Sequence, residues 1–75
     1  MKANLLQKPD YIKFETDDDI IEVRPSAWEI VITEKDTGDK YEDEFETREE
    51  VMEEFKKEIK KLEDEYEEEF QIENK

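Results

Sequence analysis

The chain has no cysteine and no histidine, and its 75 residues include one glycine and two prolines. Without cysteine there is no disulfide and no thiolate metal site. Without histidine the usual acid–base catalyst of neutral pH is missing, and most zinc chemistry goes with it. Long apolar runs are absent too. The opening stretch MKANLLQKPD offers only the pair Leu5–Leu6, far short of a signal core or a membrane span. A cytoplasmic protein is therefore expected.

Positive charge is also scarce. Twelve bases stand against 26 acids, for a net charge of −14. Nucleic acids are bound by cationic surfaces that release counterions, so direct nucleic-acid binding is not expected. An anionic membrane is disfavoured for the same reason. A basic protein partner would be drawn to this surface in a salt-dependent way.

Half the residues are charged, a composition that can mark disorder. The apolar residues are nonetheless placed at regular periods. The clearest period lies in TREEVMEEFKKEIKKLEDEYEEEF, from Thr47 to Phe70. Val51, Phe55, Ile59, Leu62, Tyr66 and Phe70 recur at steps of three and four, which lays one stripe along a helix. Thr47 and Glu50 have the spacing of a capping box. Glu49 and Glu50 suit the positive end of the helix dipole, whereas Glu67, Glu68 and Glu69 oppose its negative end. A firm start and a fraying end are expected.

The preceding residues read as strands. In 10–16 Ile12 and Phe14 alternate with Lys13 and Glu15; in 20–24 Ile21 and Val23 alternate with Glu22 and Arg24. Strand 28–34, from Trp28, is the most β-branched and should be central. The segment 35–38, KDTG, is a hairpin turn with Gly38 supplying positive φ. With this four-residue loop, Trp28 pairs with Phe45 and Ile32 with Tyr41, and Asp43 falls beside Ile30 at the margin of the apolar face. Strand 39–45 is then a charged edge.

The expected fold is α+β: a four-stranded antiparallel meander, then one long C-terminal amphipathic helix on one face (ββββα). Residues 1–9 are expected as an arm, with Leu5 and Leu6 under the sheet edge or on a partner. Residues 10–70 form the domain, and 71–75 a frayed tail. A helix of 23 residues would reach about 35 Å, longer than such a sheet. Leu62, Tyr66 and Phe70 would then overhang it and call for cover by a second copy, by the N-terminal Leu5 and Leu6, or by a target protein.

No catalytic, metal or cofactor motif stands out. Asp17, Asp18 and Asp19 are adjacent acids without the alternating ligands and central glycine of a calcium loop, and read as a solvated turn. Ser26 has no histidine to activate it. Lys56, Lys57, Lys60 and Lys61 read as helix pairing with neighbouring acids. Asp43 is the acid expected to be partly buried.

Two readings follow. One is a non-enzymatic, phage-like interaction module in which carboxylates imitate phosphates and bind a basic, nucleic-acid-binding protein surface. Glu49, Glu53, Glu63, Glu67 and the three aspartates are its candidates. The other is a homodimeric accessory domain joined through Leu62, Tyr66 and Phe70, with acidity serving solubility. A four-stranded sheet with one helix is similar in arrangement to transcription cofactors that bind single strands, but Glu22, Glu29, Glu42 and Glu44 on the outer face oppose that use.

Overall fold

The computed structural model describes residues 2–74. One mixed sheet of six strands is packed against one helix. In chain order the elements are β1 (Lys2–Lys8), β2 (Tyr11–Glu15), β3 (Asp19–Arg24), β4 (Glu29–Glu34), β5 (Lys40–Glu44), α1 (Arg48–Tyr66) and β6 (Gln71–Asn74). The strand order is β5-β4-β3-β2-β1-β6. β1 to β5 form an antiparallel meander, and β6 lies parallel to β1.

The α+β class, the meander and the following helix match the sequence. The number of strands and the all-antiparallel sheet do not. Residues 2–8 are a strand rather than an arm, and 71–74 pair in register, Lys2 with Gln71 and Ala3 with Ile72. The β4–β5 register is the one the four-residue loop demands: Ile32 opposes Tyr41 and Ile30 opposes Asp43. Gly38 takes φ +76° in that loop.

Trp28 departs from its expected inward place. It closes the turn after β3 with φ +53°, a left-handed conformation that turns the ring outward, 43% exposed. Its carbonyl still accepts the Phe45 N–H at 2.8 Å. Thus the backbone pairing survives where the side-chain pairing does not.

Alternation on β1 to β4 places Ala3, Ile12, Phe14, Ile21, Val23 and Ile30 on one face, all buried. Val51 and Phe55 cover them from the first half of α1. Phe14 lies at the centre, with ring centroids 6.4 Å from Phe55 and 5.3 Å from Phe70 in edge-to-face arrangement.

Thr47 caps the helix as the sequence indicates, its Oγ1 accepting the Glu50 N–H at 3.2 Å. The far end differs. The helix stops at Tyr66, and Glu67 adopts φ +55° with its N–H donating to the Glu63 carbonyl. This turn swings Phe70 back onto the core. Nineteen residues of helix span about 28 Å, and six strands about 24 Å. Strands of about 17–20 Å give the sheet a diagonal of about 30 Å, so a helix lying along that diagonal leaves no overhang.

A glutamate in a left-handed cap is strained by about 1 kcal/mol, and its charge opposes the dipole. Glu67→Gly is expected to stabilise the fold by about 1 kcal/mol, raising the melting temperature by roughly 4–8 °C. Glu67→Ala should give only the smaller electrostatic part. Thermal melts of the two variants measure the difference.

Candidate functional site

The helix leaves one corner of the sheet and arrives at the opposite one. It starts beside the Glu44 end of β5 and delivers the chain to β6 beside Lys2. On such a diagonal, the β4–β5 corner next to the 35–38 turn stays uncovered. That corner is an open groove of about 740 Å³.

Its floor is apolar: Ile30 and Ile32 from β4, Tyr41 from β5, Leu62 and Tyr66 from the helix. Tyr41 is on the helix-facing side of the sheet yet 58% exposed, at the corner that the helix leaves open. The walls are acidic. Glu34, Asp36 and Asp43 rise from the sheet side, and Glu54, Glu58 and Glu65 from the helix side. The helix-side set, with Lys61, follows the steps four, three and four that form one stripe. Among the described residues Lys61 is the single cation on the lining, and it is bound to Glu58 at 3.1 Å.

Asp18 and Asp19 close the end of the groove. Asp19 does not sit in a solvated turn. It opens β3, 8% exposed, and its Oδ2 accepts the Tyr66 hydroxyl at 2.8 Å. Its N–H donates to Thr16 Oγ1 at 3.0 Å, and the Asp18 N–H to the same oxygen at 3.3 Å. Asp43, expected to be partly buried, is exposed, since it sits on the uncovered corner. The buried acid is thus Asp19.

Burial, then the bond to Asp19, raises the Tyr66 hydroxyl well above the ordinary tyrosine range. Across the sheet Tyr11 donates to Glu22 at 2.7 Å, and burial with that bond pushes it up to about 12. Both shifts favour the protonated phenol in the folded state. Their stabilisation is complete below about pH 10, the unfolded tyrosine value, and is lost as pH rises through the folded values. The urea midpoint is therefore expected to fall progressively above about pH 10. The double variant Tyr11→Phe/Tyr66→Phe should be less stable at pH 7, by about 1–3 kcal/mol for the Tyr66 bond to a charged acceptor. Above pH 10 its midpoint should fall less steeply.

The residues singled out in the sequence separate into four places. Phe70 is in the core, and Tyr66 packs on it with centroids 6.3 Å apart. Leu62 is half-buried on the groove floor. The overhang on which self-association rested is thus replaced by intramolecular packing. Glu63 is half-buried and accepts the Phe70 N–H at 3.1 Å, so it shapes the turn. Glu49, Glu53, Glu67 and Asp17 are exposed and lie outside the groove lining. Sequence reasoning missed Glu54, Glu58 and Glu65. Their spacing alongside the apolar stripe was the available signal, and it needed the position of the groove to give it meaning.

The opposite, open face of the sheet has a different electrostatic character. Its strands present Lys2, Lys8, Lys13, Arg24 and Lys40 against Glu15, Glu22, Glu29, Glu42, Glu44 and Glu73. Glu15 is bound by Lys35 at 2.7 Å and Lys13 at 3.4 Å, and the Lys35 bond holds its carboxyl below the usual carboxylate range. Five bases against six acids leave this face near neutral. Almost all of the net −14 therefore lies on the helix layer and the loops.

Among the described residues, no group of carboxylates is placed to hold a metal ion, and no helix is long and apolar enough to cross a membrane. Comparisons with protein-family models, curated proteins and solved structures give no match to this chain.

Proposed function

We propose that this protein is a non-enzymatic interaction module that presents its acidic helix layer to a basic, nucleic-acid-binding surface of a protein partner. The observation that carries this reading is the segregation of charge. If acidity served only to keep a small domain dispersed, no side of the molecule would be favoured. Here the open sheet face is nearly balanced, and the excess lies on the helix side and in the loops. A one-sided negative surface on a rigid scaffold steers a cationic partner and orients it on arrival. The carboxylates then take the place of phosphates at a site that would otherwise hold nucleic acid.

Immobilised protein is expected to retain such a partner at about 50 mM salt and release it near 500 mM, as screening removes the attraction. Duplex DNA added at low salt should displace the partner as well. A bound protein that DNA fails to displace, or that stays bound at high salt, would count against this reading.

A further inference from the structure

We propose that the uncovered β4–β5 corner is a docking groove for one basic amphipathic α-helix of a protein partner, laid beside α1 on the sheet. The inference rests on the interaction reading above and specifies its site and the form of its occupant.

A helix with its side chains is about 10 Å across, and neighbouring helices pack 8–10 Å apart. The sheet is about 24 Å wide, so its covered face has room for a second helix beside the first. The helix α1 runs corner to corner, and Ile32 and Tyr41 line the space it leaves. A second helix there would complete the layer and bury the Tyr41 ring, which is 58% exposed.

The walls define the chemistry of the occupant. An apolar stripe would rest on Ile32, Tyr41 and Leu62. Lysine or arginine on one flank would meet Glu54 and Glu65, and on the other Glu34 and Asp43. Arginine would add bidentate pairing to these carboxylates. Such a helix reads as apolar anchors at i, i+3, i+4 and i+7 flanked by bases. A second copy of this chain is a poor occupant. Its basic residues on α1 are interleaved with acids, and each copy brings a net −14.

The probe is a synthetic helix-forming peptide of about 14 residues with a leucine stripe and lysine flanks, alongside a peptide of the same composition with the stripe scrambled. Binding is followed by titration calorimetry and by amide NMR shifts. The amphipathic peptide is expected to bind one to one, with shifts centred on Ile32, Tyr41 and Leu62. Reversal of the groove pair, Glu54→Lys/Glu65→Lys, should weaken it about tenfold, as loss of two partly screened pairs predicts. Reversal of the outward pair, Glu49→Lys/Glu53→Lys, makes the same change in net charge and should weaken it about twofold or less. Tyr41→Ser should weaken binding without any change in charge.

Equal losses for the two charge reversals, or equal binding of the scrambled peptide, would overturn the groove while leaving the acidic-surface reading in place. Light scattering that showed a dimer competing with the peptide would replace the partner helix with a second copy. No binding of either peptide at low salt would overturn both readings together.

Discussion

Phe14→Ala is expected to remove about half or more of the stability of the fold at 25 °C. Phe14 is fully buried and lies between Leu5 of β1 and Ile21 of β3 in the sheet. Its ring meets Phe55 from the helix and Phe70 from the segment after it. One side chain thus joins the sheet to both ends of the helical layer. Removing a buried phenylalanine ring costs about 3–5 kcal/mol. A domain of this length has about 4–11 kcal/mol in total, and no disulfide to make up the loss. With a urea slope near 1 kcal/mol per molar, the midpoint should move by about 3–5 M or vanish from the accessible range. Circular dichroism at 222 nm reports this directly. Phe14→Leu keeps most of the volume and should remain folded, with a loss of about 1 kcal/mol. A Phe14→Ala protein with a near-native midpoint would contradict the central place assigned to this ring.

Phe70→Asp should have the next largest effect, and it separates two accounts of the helix end. On an overhanging helix, Phe70 would be a surface residue, and aspartate there would improve solubility at little cost. In the folded chain Phe70 is buried against Phe14 and Tyr66, and its N–H is bound to Glu63. A carboxylate in that position must either be desolvated or pull the segment out of the core. The second route is easier, because β6 has only four residues and one paired neighbour. The expected result is loss of about 3 kcal/mol together with undocking of β6, seen as collapse of amide protection at Gln71–Asn74. An unchanged midpoint would restore the overhang and, with it, the homodimeric reading.

Much of this architecture is legible in the sequence, and the gaps have physical causes. The strands from Tyr11 to Glu34 announce themselves because alternation reports one buried face. The β4–β5 register follows from a single choice of loop length. Thr47 marks the helix start through chemistry that is local to a few residues. β1 is harder to read, since Leu5 and Leu6 are adjacent and point to opposite faces of the sheet, which spoils the alternation. β6 has one apolar residue, Ile72, and owes its existence to β1, far away in sequence. The helix end is masked because no glycine or proline marks it. Phe70 falls four residues after Tyr66 and extends the stripe on paper, yet it reaches the same core through a turn. The groove is one step further removed. It exists because the helix must cross to β6, and an unread β6 hides the diagonal.

The pairing of β1 with β6 also sets an order of assembly. Lys2 and Gln71 close a loop of nearly the whole chain, whereas the β4–β5 hairpin closes over four residues. Closing the longer loop costs about 2.5 kcal/mol more in chain entropy. The meander and helix must therefore be largely in place before β6 can add to the sheet. Once formed, β6 is the strand whose release disturbs least, so its amides should exchange first under native conditions. The sheet then ends on one side in a latch, and while that latch is open the outer edge of β1 is free to pair with another strand.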